Sequence, residues 1–355
     1  MAHQHKMGPV YGVDQSAELD LASCSFPDNT FRAWSKSGAL VFAMKTPNEA
    51  WASAIAVHGT MAALGTYTGG LYVVDLVGNE IVHTLVGHED DVLSIIHTDA
   101  LVISGASDGT IRFWDTADGK SLRTISIGTW ALSLAMQDNV LAVAQREASI
   151  AVFDIHNGEK VHSIDTEANA VAIDGQHLVT ASEDNNVKLY SLPHYQLIHV
   201  FEGHTNWVTC VDIKNDCIVS GGYDDTVRVW DCRSKEQVHV LEGHAQTVLS
   251  ISLLGSQIVS GGSDGTVRVW DARAGTLSRL LNGSETFASL HEVSEPLPKA
   301  TPLAAPEETE NHTEAVPQGG LESEVRSSLL EVPVAQDVPR DEQTRCSNLF
   351  CCALL

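Results

Sequence analysis

Two segments of the chain share almost the same letters: GHTNWVTCVDIKNDCIVSGGYDDTVRVWD at Gly203–Asp231 and GHAQTVLSISLLGSQIVSGGSDGTVRVWD at Gly243–Asp271. The second segment begins 40 residues after the first. A fixed period of this length is typical of repeat architectures, in which one supersecondary unit is copied along the chain. The repeat therefore predicts a fold assembled from copies of a single unit.

Each copy has the pattern of a small antiparallel sheet. Short runs of mainly β-branched residues, such as Ile218–Val219 and Val227–Val229, flank a turn rich in Gly and Asp. This pattern is typical of strands joined by tight hairpins, and a unit of this length has room for about four of them. A lone sheet of this size cannot bury both faces, so the copies must stack, and radial stacking leaves only short, protected edges.

The number of copies follows from the position that Trp230 occupies in its unit. Successive sites lie 40, 40, 39, 37, 40 and 40 residues apart, at Trp34, Val74, Trp114, Phe153, Tyr190, Trp230 and Trp270. Seven evenly spaced sites predict an all-β, seven-bladed β-propeller. We expect it to span residues 9–283, after a flexible N-terminus at 1–8.

Three copies carry a set of four side chains at constant intervals of 16, 4 and 6 residues. The sets are His88, Ser104, Asp108 and Trp114; His204, Ser220, Asp224 and Trp230; and His244, Ser260, Asp264 and Trp270. Buried imidazole and indole rings each need a partner for their N–H groups. With a Gly-His start and a Trp-Asp end, these units resemble the WD-repeat β-propeller family. The resemblance implies that each set forms a hydrogen-bonded relay that stabilises its blade.

A Ser, a His and an Asp in one unit also raise the hypothesis of a hydrolase. The trio recurs from blade to blade in the order His, Ser, Asp, and no lone polar cluster stands apart from the repeats, so we predict a protein that is not an enzyme. No cofactor and no metal site are expected. His3 and His5 are interpreted as part of a solvated N-terminal tail.

The other units depart from the pattern, and we expect units one, two and four to be the least stable because they lack the relay. In the fourth, Glu147 and Phe153 stand where Asp and Trp belong, and in the fifth Ile164 replaces His. The last unit carries its own outer strand, Leu277–Leu281, and so does not need a strand from the N-terminus. The sequence leaves open whether the ring closes by packing alone or by a different pairing of the first unit.

Composition limits the classes of partner. A formal net charge of −25 with only 21 basic residues argues against binding nucleic acid. The longest apolar runs, such as Ala39–Met44, are about six residues, against roughly 20 for a membrane-spanning helix. No secretory signal is visible, and the Cys residues show no CxxC spacing. We expect a cytoplasmic protein, with a nuclear location left open, that works as a monomer within a larger assembly.

Composition shifts after Asn282. Residues 292–345 contain seven Pro, twelve Asp or Glu and four Lys or Arg, which predicts a disordered, acidic, Pro-rich linker at 284–345. Residues 346–355 are a Cys-rich end that closes on Cys352-Ala353-Leu354-Leu355. This end looks like a prenylation box, with Cys352 as the prenyl site and Cys351 and Cys346 as palmitoyl sites. The hypothesis is a lipid tether to a membrane, and the alternative is an incidental apolar end.

The main prediction for function is a non-catalytic scaffold that binds other proteins or peptides. In the family, partners bind the face formed by the loops between blades and the turns between second and third strands, where function is carried on a rigid framework. The resemblance implies a partner-binding face at Glu89, Asp90, Asp91, Asn206, Trp207, Tyr223, Asp225 and Gln246. Trp207 and Tyr223 are of the types that anchor interfaces.

Two further resemblances suggest ubiquitin ligases. The segments Ile218–Arg233 and Ile258–Arg273 are similar to the box of substrate receptors for cullin-4 ligases, which implies an adaptor contact at Arg233 or Arg273. The loops are also similar to those of F-box propellers, so the chain could be an F-box-type propeller that lacks its F-box. The phosphate-binding Arg positions of that family are occupied here by uncharged residues: Leu93, Ser107, Thr209, Tyr223, Leu249 and Ser263.

Overall fold

The computed structural model describes residues 9–16, 21–25, 29–35 and 38–281. They form seven four-stranded sheets, which we number as blades in chain order. Blade 1 contains β1 Val10–Asp14, β2 Leu21–Ser25, β3 Thr30–Trp34 and β4 Leu40–Lys45. A 3₁₀ turn at Pro47–Glu49 leads into blade 2, with β5 Ala52–His58, β6 Met61–Thr66, β7 Leu71–Asp75 and β8 Glu80–Leu85. Blade 3 contains β9 Val92–His97, β10 Leu101–Ala106, β11 Thr110–Asp115 and β12 Ser121–Ser126.

The remaining four blades repeat the pattern. Blade 4 contains β13 Ala131–Gln137, β14 Val140–Gln145, β15 Ile150–Asp154 and β16 Lys160–Ile164. Blade 5 contains β17 Ala170–Asp174, β18 His177–Ala181, β19 Val187–Ser191 and β20 Leu197–Phe201. Blade 6 contains β21 Val208–Lys214, β22 Cys217–Gly222, β23 Val227–Asp231 and β24 Glu236–Leu241. Blade 7 contains β25 Val248–Leu254, β26 Gln257–Gly262, β27 Val267–Asp271 and β28 Thr276–Leu281.

Within every blade the four strands pair antiparallel in chain order. The first strands of the seven blades contact one another in sequence around a central cavity of about 400 Å³. The predicted all-β, seven-bladed propeller is therefore confirmed. No helix among residues 9–16, 21–25, 29–35 and 38–281 is long and apolar enough to cross a membrane.

Burial varies from the inner to the outer strands of a blade, as the sequence pattern requires. In β23, Val227, Val229 and Trp230 are buried, because the third strand packs against blades on both sides. The outer strand β24 ends on buried Leu241 but exposes most of its other residues. Outer strands are the edges of the sheets, so exposure of most of their residues is expected there.

Adjacent blades touch at a point where one side must be small. A methyl group at Gly221 on β22 would lie 2.5 Å from Cγ1 of Val248, the first residue of the next blade. Gly65 faces Val92 at 2.8 Å in the same way, and Gly105 faces Ala131. A Cβ does not fit at such a distance, so the small residue that follows Ser220 in the repeat is required by the packing of neighbouring blades.

The ring closes by the same contact. A methyl group at Gly261 in blade 7 would lie 2.6 Å from Cγ1 of Val10 in blade 1. Val10 and Val13 share a buried cluster with Val259, Val267 and other residues of blade 7. Because β28 completes blade 7 and β1 pairs with β2, closure does not exchange a strand between the termini. Of the two modes of closure that the sequence left open, face packing is the one observed.

Side-chain hydrogen bonds also cross all seven blade interfaces. Each comes from a residue in, or just before, an innermost strand and reaches the main chain of the next blade. The pairs are Asp14 with Val57 (2.7 Å), Ser53 with Val92 (2.6 Å), Ser94 with Leu134 (3.0 Å), Ser133 with Val171 (3.2 Å), Asn169 with Val208 (3.0 Å), Asp212 with Leu253 (2.7 Å) and Ser250 with Val13 (3.1 Å). The interface between blades 7 and 1 is thus bonded like the other six.

Candidate binding face

The relay of blade 6 connects four structural elements. His204 lies in the loop before β21, Ser220 on β22, Asp224 in the turn after β22, and Trp230 on β23. The Trp230 Nε1–H donates to Ser220 Oγ at 2.9 Å, and Ser220 Oγ lies 2.8 Å from His204 Nε2. His204 Nδ1 lies 2.9 Å from Asp224 Oδ2.

The donors in this relay follow from its ends. An indole N–H can only donate, so the hydroxyl of Ser220 accepts from Trp230. A carboxylate can only accept, so His204 donates to Asp224 through Nδ1. In the tautomer with its proton on Nδ1, Nε2 can accept the hydroxyl proton of Ser220. The relay fixes the interblade loop against the turn between the second and third strands.

Blades 3 and 7 contain the same relay at similar distances. Nε2 of the His lies 2.7 Å from Ser104 in blade 3 and 2.8 Å from Ser260 in blade 7. The Trp donates at 2.9 Å in both. All three Ser residues have 0% of their surface exposed. A hydroxyl that is buried and hydrogen-bonded on two sides cannot attack a substrate, so the geometry supports a structural role rather than catalysis.

The relay aspartates are held as carboxylates. Burial alone would raise the pKa of Asp224, but hydrogen bonds from His204, Thr226 and the N–H of Thr205 outweigh burial and place it well below its usual value. The pKa of Asp264 is lowered in the same way. In blade 3, burial lowers the pKa of His88 and so favours the neutral ring that the relay needs.

Blade 5 keeps three relay letters without forming the relay. The hydroxyl of Thr180, at the Ser position, is buried and has no hydrogen-bond partner. Asp184 instead pairs with Lys188 Nζ at 2.6 Å, and this ammonium also donates to Thr166 at 3.2 Å. Because Ile164 replaces the relay His in this blade, the carboxylate of Asp184 pairs with the ammonium of Lys188 instead.

We call upper face the end of the ring formed by the loops before each innermost strand and the turns between second and third strands. The predicted partner residues are all located on it. Glu89, Asn206 and Gln246 are exposed, and the others are partly exposed: Asp90, Asp91, Trp207, Tyr223 and Asp225. Trp207 and Tyr223 pack edge to face, with ring centroids 5.8 Å apart.

Two further tryptophans occupy the position of Trp207, and the sequence reasoning missed both. The main-chain N–H of Tyr223 donates to the carbonyl of Trp207 at 2.9 Å. The same bond joins Tyr67 to Trp51 at 2.9 Å and Arg146 to Trp130 at 3.1 Å. Blades 2, 4 and 6 therefore each carry a Trp at the start of the innermost strand. Alignment of this position along the repeats would have revealed them.

The upper face is strongly acidic. In its described loops and turns Arg146 is the single Lys or Arg, and the relay acids are held by hydrogen bonds from their His partners. The other carboxylates there are at least partly exposed: Glu49, Glu89, Asp90, Asp91, Glu147, Asp165, Glu167, Glu183, Asp184, Glu202, Asp225 and Glu242. Burial, followed by the charges of Asp224 and Asp264, raises the pKa of Asp225.

The lower face, formed by the turns between first and second and between third and fourth strands, carries the residues of the ligase resemblance. Arg233 Nε donates to Asp216 Oδ2 at 2.8 Å, and its side chain is 82% exposed. Arg273 is also exposed, in the equivalent turn of blade 7. The lipidation sites Cys346, Cys351 and Cys352 lie outside the described residues, as do the predicted linker and residues 1–8.

The central cavity is lined by two half-buried carboxyls, Asp14 and Asp212, at equivalent places on their strands. Burial raises the pKa of Asp212 to about 7 and also raises that of Asp14. Their oxygens accept main-chain N–H groups of Val57 and Leu253, so both act in the interblade bonds. Within the part of the chain that the structure describes, no group of three or more His, Cys, Asp or Glu is arranged to hold a metal ion.

Comparison with known proteins supports the same class of fold. The family model "WD domain, G-beta repeat" matches residues 79–115, 147–191, 195–231 and 235–271. Protein DOA1 of Saccharomyces cerevisiae is 25% identical over 228 residues, covering 59% of this chain and 30% of that protein. Nuclear distribution protein nudF of Aspergillus niger is 28% identical, covering 42% and 37%. The matched part thus spans about a third of these relatives.

Among solved structures, the WD40 propeller domain of Doa1 superposes with a TM-score of 0.65 at 23% identity, covering 75% of this chain and 95% of that one. Three of the four family matches begin at or just before an outer strand and end on a Trp-Asp pair, so the sequence repeat is offset by one strand from the blade. The chain contains WD repeats in these four segments and folds as a seven-bladed β-propeller. WD-repeat propellers are generally scaffolds for protein interaction.

The relay predicts different effects for two similar substitutions. Ser220→Ala leaves the Trp230 N–H and His204 Nε2 without a partner in the core, and it should lower the free energy of unfolding by about 1–3 kcal/mol. Thr180→Val removes a hydroxyl that has no partner, and it should be neutral or slightly stabilising. Urea unfolding followed by tryptophan fluorescence measures both. Equal losses in the two variants would contradict the relay.

Proposed function

We propose that the protein is a non-catalytic scaffold in the cytoplasm that binds other proteins through its upper face. The observation that carries this proposal is the pair Trp207 and Tyr223, two partly exposed aromatic rings in loops that the relay of blade 6 holds in place. Aromatic side chains on rigid loops lose little conformational entropy on binding and supply much contact area. Exposed polar residues such as Asn206 and Gln246 lie on the same face, as expected at the rim of an interface.

A role as a cullin-type substrate receptor is the second proposal. Its support is the exposure of Arg233 and Arg273 in equivalent turns of the lower face, away from the upper face. A receptor would bind its adaptor through these arginines and its substrate through the upper face. An F-box-type role has less support, because Leu93, Thr209 and Leu249 on the innermost strands supply no cation for a phosphate.

One affinity-purification experiment separates the two proposals. We expect the triple variant Glu89→Arg, Asn206→Arg and Gln246→Arg to lose most of the proteins that the wild type retains, because all three side chains are exposed on the upper face. Quantitative mass spectrometry of the bound proteins measures this loss. The variant Arg233→Ala with Arg273→Ala is the matched control on the lower face.

The two variants have different expected outcomes. If the protein is a scaffold alone, the lower-face variant retains every partner. Selective loss of a cullin adaptor from that variant would support the receptor role instead. Unchanged partners in the upper-face variant would refute the proposal that this face binds them.

The membrane tether is a third proposal, supported by the sequence of the Cys-rich end alone. One lipid chain gives marginal membrane binding, and an acidic linker cannot supply the usual basic second signal, so palmitate on Cys351 or Cys346 would have to add to prenylation of Cys352. We expect a labelled geranylgeranyl donor to modify the wild type and not Cys352→Ser. Equal labelling of the two proteins would refute the tether.

A further inference from the structure

The tryptophans and the acidic residues of the upper face interleave. Trp51, Trp130 and Trp207 lie at the start of the innermost strands of blades 2, 4 and 6. Exposed carboxylates lie in the loops and turns of the same and neighbouring blades, among them Glu89, Glu202 and Glu242. An aromatic face attracts a cation through the quadrupole of its ring, and a nearby carboxylate adds a Coulomb attraction.

The chain itself shows what such a position accommodates. In blade 4 the guanidinium carbon of Arg146 lies 4.2 Å from the ring centroid of Trp130, which is a close cation–π contact. Arg146 Nε also lies 3.5 Å from Glu147 Oε1. Blade 4 therefore places an arginine between an indole and a carboxylate at the upper face.

Blades 2 and 6 have the same tryptophan without that arginine. Tyr67 and Tyr223 replace it in the turn, and they meet their Trp edge to face at interplanar angles of 75° and 82°. In blade 6, Asp225 lies two residues after Tyr223 in the same turn, and its surroundings include the carboxylates of Asp224 and Asp264. The indole and the acid are present in blade 6, and the cation is not supplied by its turn.

We propose that the upper face binds an arginine-rich segment of a partner protein, with a guanidinium against Trp207 and beside Asp225. This inference rests on the proposed function and names the class of partner. Arginine fits better than lysine because one planar guanidinium can stack on the ring and donate hydrogen bonds to a carboxylate at the same time.

Two other cations near this face are already engaged with acids. Lys188 is paired with Asp184, and Arg228 on β23 lies 3.6 Å from Asp224 with its side chain 11% exposed. They do not neutralise exposed acids such as Glu202 or Glu242. The lower face differs in its cations, because its turns carry four basic residues: Lys120, Arg233, Lys235 and Arg273.

The test is fluorescence anisotropy with the full chain and labelled peptides of repeated Arg-Ser-Gly units. The same peptide with citrulline for arginine removes the charge and keeps the shape, and a Lys-Ser-Gly peptide keeps the charge without the plane. We expect the arginine peptide to bind more tightly than the lysine peptide and the citrulline peptide not to bind. Binding should weaken as salt rises.

Matched charge reversals locate the site. Glu89→Lys, Glu202→Lys and Glu242→Lys on the upper face should weaken binding of the arginine peptide by about tenfold or more. Glu80→Lys, Glu159→Lys and Glu236→Lys make the same change in net charge at exposed positions of the lower face, and should weaken it less than about twofold. Equal weakening by both sets would show non-specific attraction and overturn the inference.

Two single changes test the proposed contacts. Trp207→Leu should weaken the arginine peptide by about threefold to thirtyfold, the range of a cation–π contact. Asp225→Asn keeps the turn, because Asn tolerates the positive φ of 62° at this position, and should also weaken binding. Wild-type affinity in both variants, or tight binding of the citrulline peptide, would refute the inference.

Failure of this inference can be told apart from failure of the proposed function. If the arginine peptide does not bind while the upper-face variant still loses its cellular partners, the face binds proteins of another chemistry. If the peptide binds as described while those partners stay bound to the variant, the scaffold proposal fails for this face.

Discussion

Every other feature of this protein depends on the contact between neighbouring blades, where the first residue of one innermost strand meets a small residue on the second strand of the blade before it. At Gly221 and Gly261 the space for a Cβ is already occupied by a valine of the next blade. A four-stranded sheet alone leaves both faces exposed, and this contact lets each sheet bury its faces on its neighbours. The same contact between Val10 and Gly261 closes the ring without a shared strand.

The relays add polar stabilisation to this apolar framework, and the blades without them use other solutions. Blade 6 has the full relay from Trp230 to Asp224, whereas blade 5 pairs Asp184 with Lys188. Blade 4 stacks Arg146 on Trp130 at the equivalent turn. The hydrogen bonds of a buried network depend on one another. When one relay residue is replaced, the remaining relay residues bond to different partners. These exchanges give each blade a different surface on a common scaffold.

The repeat period and the β-branched runs were enough to predict the blades, and the positions from Trp34 to Trp270 gave the correct count. The first innermost strand, Val10–Asp14, was not identified, because blade 1 lacks the Gly-His letters that mark the start of the others. The mode of closure could not be decided from sequence either, since it depends on contacts between residues about 250 positions apart. Trp51 and Trp130 were missed because they lie in blades 2 and 4, whose repeats lack the full relay, and the prediction relied on the best-preserved repeats.

The most direct test of the closed ring is oxidative cross-linking of the double variant Val10→Cys and Gly261→Cys. A Cβ at Gly261 would lie 3.0 Å from Cβ of Val10, so a small shift brings the two into the range of a disulfide. We predict rapid formation of this bond in the native protein, identified by mass spectrometry of the joined peptides, and none when Val10→Cys is combined with Gly105→Cys. Failure of the first pair to cross-link in folded protein would contradict the closure described here.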